Sequence, residues 1–317
     1  MENEIKVSVC CIAYNHGKYI KKCLDSILNQ ETNFDYEVII HDDCSQDDTS
    51  EIINEYQKKH DNVRAIIQKE NVYSKGISPY REFAFKSAKG KYIAMCECDD
   101  YWCDSKKLQT QYDEMEKNSR ASWCSHYVQC VEEDGSKTDT VIPKDFEREN
   151  ICSYNSYQTI EFFLNKGFQL SSYFVRKDLF EEYYTHTPVF VRIAPVEDEP
   201  MVRYMASKGD LIFIPKKMSC YRMNSVSGWT SKNSISGSAM YRHYKSMCNM
   251  IREYDKYTEH KYTDVISLDL VNKEWLMHMY NRNYRKMLNQ KFYLLRKKMS
   301  LKNRMKLYIK AVIYKKK

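Results

Sequence analysis

The sequence predicts an α/β protein with a mixed, mostly parallel sheet flanked by helices, followed by a helical C-terminal extension. Three observations predict it. Through Met115, short apolar runs alternate with segments whose apolar residues recur at helical spacing. Such a βαβ rhythm favours parallel strands, because each helix carries the chain back to the starting edge of the sheet. Polar or acidic turns end three of the strands: Tyr14-Asn15-His16-Gly17, Asp42-Asp43-Cys44-Ser45 and Glu97-Cys98-Asp99-Asp100. Parallel strands bring such turns to one edge, where ligands of open α/β sheets bind. From about Ser238 the chain reads as helical, rich in Tyr, Met and Lys.

Val7, Val9, Cys11 and Ala13 alternate along the first strand, and Ile20, Leu24, Ile27 and Leu28 line the helix after Gly17. Residues 36–41 form the second strand. Ser45, with Asp48 three positions on, makes a box-like cap for a helix carrying Ile52, Ile53 and Tyr56. A third strand covers 63–68. Pro79 opens a helix with Phe83, Ser87 and Ala88 on one face, and Gly90 precedes a buried strand at 91–96. Asp104 starts a helix through Leu108, Tyr112 and Met115. The middle is less regular. Residues 123–131 and a Glu133-Asp134-Gly135-Ser136 turn read as a hairpin. Residues 159–164 read as a short helix, 169–175 as a strand, 198–207 as a helix stopped by Gly209, and 211–214 as a strand. These elements divide into a domain over 1–236, with halves at about 1–120 and 121–236, and a basic helical extension over 237–317.

No apolar run approaches the roughly 20 residues that span a bilayer, and Met1-Glu2-Asn3-Glu4 is unlike a secretory signal. A cytoplasmic protein is expected, with its twelve cysteines reduced. Cys96, Cys98 and Cys103 lack the spacing of a zinc pair. The net charge of +7 hides an asymmetry: no Asp or Glu follows Glu274, whereas fourteen Lys and Arg do. In that tail Leu301, Met305, Tyr308 and Val312 recur at helical spacing. A basic amphipathic helix of this kind suits the surface of an anionic membrane. A helix packed on the body with its lysines in water fits the same pattern. Nucleic-acid binding lacks any accompanying motif.

Glu97, Asp99 and Asp100 bunch three carboxylates where a buried strand leaves the sheet. That is costly unless a cation sits among them, and a divalent cation carrying a phosphorylated ligand is a natural occupant. With Asp42-Asp43 at a second strand end, the pattern suggests one cleft for a nucleotide and its metal.

Three segments together, Val7-Ser8-Val9-Cys10-Cys11-Ile12-Ala13-Tyr14-Asn15, then Val38-Ile39-Ile40-His41-Asp42-Asp43-Cys44-Ser45-Gln46-Asp47-Asp48-Thr49, then Glu97-Cys98-Asp99-Asp100, resemble family 2 glycosyltransferases of the Rossmann-like GT-A fold over roughly residues 5–230. Order and spacing carry the resemblance. It implies that Ala13, Tyr14 and Asn15 cradle a nucleotide and that Asp43 accepts the ring N–H of uracil. It also implies that Glu97, Asp99 and Asp100 hold Mg2+ or Mn2+ against the donor diphosphate, with Asp100 as direct ligand. Glu97 stands where many relatives have Asp. Asp198, with Glu197 second, matches the acidic residue that serves as general base at the start of a helix. Arg222 matches a basic residue that reaches the diphosphate, and Arg81 is a further candidate beside the nucleotide. Plainer roles fit the same residues: helix capping for Asp42 and Asp43, a favourable helix start for Glu197 and Asp198, a surface ion pair for Arg222, a helix surface for Arg81. His16 and His41 beside the cleft read as hydrogen-bonded structural residues. The loop at 224–229, with Gly228 as hinge, has the composition of a lid.

The implied activity is inverting transfer from a nucleotide sugar, a UDP-sugar first, to a saccharide or lipid-linked saccharide acceptor in bacterial surface polysaccharide synthesis. The expected place is the cytoplasm, with the inner membrane face as a peripheral site. Two alternatives stand beside it. One is a non-catalytic nucleotide-sugar-binding or scaffold protein, which the Glu97 departure favours. The other is a nucleotidyltransferase, which also uses acidic strand ends and metal.

Overall fold

The computed structural model describes residues 4–144, 146–223 and 237–314. The lid-like loop at 224–229 and its Gly228 lie outside the described residues. The chain forms two compact units, Met1–Thr187 with Met201–Gly228, and Pro188–Pro200 with Trp229–Lys317. Residues 188–200, counted above with the first domain, thus cluster with the C-terminal helices.

The first unit is built on a ten-stranded sheet of order β3-β2-β1-β4-β9-β6-β10-β5, with β7 paired to β6 and β8 to β10. β1 (Val7–Ala13), β2 (Tyr36–Asp42), β3 (Val63–Ile67) and β4 (Tyr92–Glu97) are mutually parallel. Their helices explain this: α1 (Gly17–Leu28) and α2 (Thr49–Lys59) return the chain between them. α1 buries Tyr19, Ile20, Cys23, Leu24 and Ile27, the stripe its apolar spacing predicts. Register positions the site. Ala13 lies level with Asp42, and Ile12 with both His41 and Glu97, so three turns leave the same edge side by side.

Beyond β4 the sheet becomes mixed. β9 (Phe174–Arg176) runs antiparallel between β4 and β6 (Ala121–Val131). β10 (Asp210–Arg222) is parallel to β6 and antiparallel to both β5 (Tyr101–Trp102) and β8 (Cys152–Tyr154). β7 (Lys137–Ile142) completes the expected hairpin with β6. Between β4 and β9 in the chain lie also α4 (Lys107–Lys117), which follows β5, and α5 (Ser156–Lys166); α6 (Lys177–Thr185) follows β9. Gly90 admits no side chain: a Cβ there would stand 2.5 Å from the Ser8 amide nitrogen. The missing Cβ lets the Gly90 N–H reach the Ser8 hydroxyl at 2.8 Å.

Four local expectations are corrected. The helix after β2 begins at Thr49, not beside Ser45. The Ser45 hydroxyl is already committed, donating to the Asp42 carboxylate and accepting from the Asn15 N–H at 2.8 Å. The segment after Pro79 forms a π-helical turn at Tyr80–Ala84 before one α turn, α3 (Phe85–Ser87). Residues 170–172 make a 3-10 turn instead of strand, because the Gln169 side-chain oxygen accepts from the Ser171 N–H at 2.6 Å and competes with the ladder. β10 runs well past Ile214. Pro215 has no N–H to pair, and the ladder to β6 resumes after irregularities on either side of Lys217.

In the second unit, α9 (Gly237–Tyr257) packs with α10 (Thr263–Tyr280) through a core that includes Met247, Ile251, Tyr254, Val265 and Ile266. Phe190, on α7 (Val189–Arg192), stacks edge-on against Tyr254 at 5.1 Å. Glu274 holds both Arg252 and Lys291, at 2.7 and 2.5 Å. α11 (Tyr293–Lys298) and α12 (Leu301–Ile313) end the described chain. Among the described residues, no helix is long and apolar enough to cross a membrane.

Candidate active site

Three turns build the site at the carboxyl ends of β1, β2 and β4. Asn15 takes a left-handed backbone, φ 56°, which turns the chain sharply after β1. Its side-chain oxygen accepts the Gln46 N–H at 2.7 Å, while the His16 N–H reaches Thr49 Oγ1 at 2.9 Å and the Gly17 N–H reaches Asp47 at 3.0 Å. The turn after β1 is thus knitted to the loop after β2. Below it, the Asp43 N–H donates to the Ala13 carbonyl at 2.9 Å. Ala13 is fully buried, and Tyr14 and Asn15 are half-buried at the rim.

The two aspartates of the β2 turn divide their work. Asp42 accepts from the hydroxyls of Ser45 and Ser50, and so shapes the loop. Asp43, also buried, accepts the N–H groups of Val72 and Tyr73 at 2.7 and 3.1 Å, one on each oxygen. These bonds fix the carboxylate and leave each oxygen a lone pair for a further donor.

The third turn carries the acidic cluster. One carboxylate oxygen from each of Glu97, Asp99 and Asp100 lies within 4.8 Å of the others. Asp100 is almost wholly buried, and burial, then the charges of Asp99 and Glu97, push its carboxyl well above the usual carboxylate range. His16 Nε2 approaches the Asp99 carboxylate to 3.9 Å, joining the first turn to the third.

Two residues distant in sequence, Arg222 at the end of β10 and Gln169 at the start of a 3-10 turn, steady this turn. β5 follows the turn and pairs with β10, Tyr101 opposite Cys220 and Trp102 opposite Ser219, which carries Arg222 to the acids. The Arg222 N–H donates to Asp100 Oδ1 at 2.8 Å, and Gln169 Nε2 donates to Asp100 Oδ2 at 3.0 Å. The Arg222 guanidinium donates to the carbonyls of Asp99, Glu132 and Glu133 and lies 4.5 Å over the Tyr19 ring. Arg222 is therefore neither a surface ion pair nor a loose side chain; it is a buried clamp on the acidic turn.

The remaining candidates lie on other elements. Arg81 sits in the π-helical turn, its N–H on Ser78 Oγ at 3.2 Å. His41 is buried against Phe83 and Gln68, and burial lowers its pKa. Glu197 and Asp198 belong to the second unit; Asp198 opens α8 (Asp198–Lys208), whose residues from Met201 onward belong to the first, and accepts the Glu199 N–H at 2.8 Å. The Asp198 residue keeps an open solvent side. Loss of solvent around the carboxyl, then the Glu199 charge, raises its pKa above the usual carboxylate range. Sequence reasoning missed Gln169 as a site residue. A lone Gln before a serine pair carries no local mark of a partner 69 residues away.

The Glycosyl transferase family 2 model matches residues 8–184. The uncharacterized protein Rv1520 of Mycobacterium tuberculosis is 30% identical over 227 residues, 71% of this chain and 61% of its own length. The chain therefore spans less than two thirds of that relative. The Escherichia coli UDP-Glc:alpha-D-GlcNAc-diphosphoundecaprenol beta-1,3-glucosyltransferase WfaP is 39% identical over 124 residues, 39% of this chain and 47% of WfaP. Among solved structures, Staphylococcus aureus TarS 1–349 in complex with UDP-GlcNAc superposes with a TM-score of 0.61 at 18% identity, covering 97% of this chain and 79% of TarS. That likeness is one of fold. With the match over more than half the chain and the GT-A architecture, the protein belongs to glycosyl transferase family 2.

Proposed function

We propose that the chain transfers a sugar, with inversion, from a UDP-sugar to a saccharide or lipid-linked saccharide in bacterial surface polysaccharide synthesis. The convergence of Glu97, Asp99 and Asp100 at the edge shared by the β1 and β2 turns carries this reading. The UDP-GlcNAc bound by TarS supports the donor class, and the diphosphoundecaprenol-linked acceptor named for WfaP supports the acceptor class.

The residues present fit a divalent cation. The donor set is all oxygen, and Asp100 is a buried carboxyl crowded by two like charges, which a cation would relieve. Glu97, Asp99 and Asp100 would hold Mn2+ or Mg2+, which when bound supplies positive charge to the leaving diphosphate. In this reading the turn from Ala13 to Asn15 and the Asp43 carboxylate bind the nucleoside, Asp43 accepting from the uracil ring. Arg222 positions the acidic turn through its main-chain and guanidinium donors. Arg81 is kept as a second contact to the nucleotide. Asp198, with Glu197 as the second candidate, takes the proton from the acceptor hydroxyl as that oxygen attacks the anomeric carbon. The raised Asp198 pKa suits a base.

Nucleotide sugars are incubated with the protein and a mixed saccharide acceptor pool, with Mn2+ or with EDTA. Release of nucleoside diphosphate only with metal, and an anomeric proton of inverted configuration in the product, support the reading. Pyrophosphate release would identify a nucleotidyltransferase. Donor binding with no turnover of any acceptor would identify a binding protein.

A further inference from the structure

Among the described residues, the last helix has its apolar side exposed. α12 is fixed to the protein by Leu307 and Ala311, both buried. Leu301, Met305, Ile309, Val312 and Ile313 point away from those two and are exposed, Leu301 by 71% and Val312 and Ile313 by 68% each. At about 100° per residue these five, with Tyr308, cover an arc of roughly 140°. Lys302, Lys306 and Lys310 recur every fourth residue along one border of that arc, and all three are exposed. Such an arrangement is the reverse of an ordinary surface helix, which turns its apolar stripe inward. Helix α12 spans 13 residues, so it is about 20 Å long. That is too short to cross a hydrocarbon core of about 30 Å.

We propose that α12 lies in the plane of an anionic lipid surface, with Leu301, Met305, Ile309, Val312 and Ile313 in the acyl boundary and Lys302, Lys306 and Lys310 at the headgroups. Charge decides the occupant. From Glu274 to the end of the sequence there are fourteen Lys and Arg and no further Asp or Glu. An apolar stripe beside a basic ridge matches a lipid surface carrying negative headgroups. The lysine stems reach past the stripe and keep their ammonium groups in water. The proposal does not depend on the transfer reaction, and its test uses neither donor nor acceptor.

The test is flotation of the full chain with vesicles of phosphatidylcholine alone or mixed with phosphatidylglycerol. Two double variants separate the contributions. I309Q/V312Q removes apolar contact at unchanged charge, and K306Q/K310Q removes charge at unchanged apolar area. All four positions are exposed, so circular dichroism and melting should match the wild type. The expected results are flotation with the anionic vesicles only, weakened by salt. Affinity should fall by tenfold or more in I309Q/V312Q, on the order expected for two apolar side chains. It should fall roughly fivefold for each lysine removed in K306Q/K310Q. Wild-type protein that stays with the bottom fraction, or variants that float as well as wild type, would overturn the proposal. So would lipid-free oligomers that I309Q/V312Q converts to monomer, because a second copy would then cover the face.

Discussion

The main-chain N–H of Arg222 meets the Asp100 carboxylate at 2.8 Å across 122 residues of sequence, and the Arg222 Nε meets the Asp99 carbonyl at 3.0 Å. Strand β10 thereby grips the acidic turn from two sides. Arg222→Ala leaves the main-chain bond possible and strips the guanidinium from three carbonyls. The expected cost is about 2 kcal/mol of stability. Metal-dependent donor affinity should fall about tenfold, because the turn that aims the acids is loosened. Arg222→Lys should recover little, since a point charge cannot serve three carbonyls as a planar fork does. Calorimetric titration of nucleotide sugar in Mn2+, beside a thermal melt, checks this. Lost stability with unchanged donor affinity would reduce Arg222 to a structural residue.

Gln169 acts on the same carboxylate from the opposite oxygen, at 3.0 Å. Gln169→Leu keeps the volume and removes the donor. If Asp100 ligates a cation, the outer bond that orients it is worth about 10–100-fold in metal affinity. The expected outcome is weaker Mn2+ binding, followed by electron paramagnetic resonance, with a far smaller change in the melt. Equal Mn2+ affinity in wild type and variant would remove Asp100 from the ligand set or Gln169 from its support.

The contrast between Asp43 and Gln169 shows what was legible in the sequence. Asp43 ends an apolar strand, so its place at the sheet edge follows from local pattern, as do β1 to β4, α1 and the acidic turn. Gln169 and the Arg222 clamp depend on how β9 and β10 pair with distant strands, which no local period encodes. The Ser45 cap failed for a similar reason. Its hydroxyl had a stronger partner in Asp42, and the Asn15 turn it braces is visible only once β1 and β2 lie side by side. In the tail, helical periodicity located α12, but its orientation was unreadable. Leu307 and Ala311, outside the expected stripe, are the residues that face inward.

Lys107 offers a test of the core. It is fully buried, bonded to the Gln111 side chain at 2.6 Å and placed 3.9 Å from the centre of the Trp102 ring. Burial lowers its pKa from 10.5 to about 7. Between those values the unfolded chain holds a proton that the folded chain has lost, so this residue makes stability rise with pH. Below about 7 both states are charged and the full burial penalty stands. Lys107→Met should abolish this contribution. The difference in unfolding free energy between wild type and variant should therefore change across pH 7 to 9, by at most about 1.4 kcal/mol per unit. Urea melts at pH 7, 8 and 9 measure it, and parallel curves for the two proteins would contradict a buried, titrating lysine.

Asp198 carries the chemical step in the proposed reaction, and its environment gives that role a pH signature. Desolvation and the neighbouring Glu199 charge raise its pKa above the ordinary value of 3.8. A base acts only when ionised, so kcat/KM should fall with slope one as pH drops through that raised pKa. The limb should therefore lie at higher pH than for an unperturbed aspartate. Asp198→Asn should lower turnover by about 10²–10⁴ and lose this limb. Donor affinity should be kept, because the donor contacts are assigned to Asp43 and the acidic turn. Glu197→Gln separates the two candidates. If Asp198 is the base, this variant retains most of the turnover and the limb; if Glu197 is the base, the loss moves to it. Steady-state profiles from below the ordinary aspartate pKa up to neutral pH and beyond for the three proteins, with donor affinity measured in parallel, decide between them. Wild-type turnover in Asp198→Asn would exclude Asp198 from the proton transfer altogether.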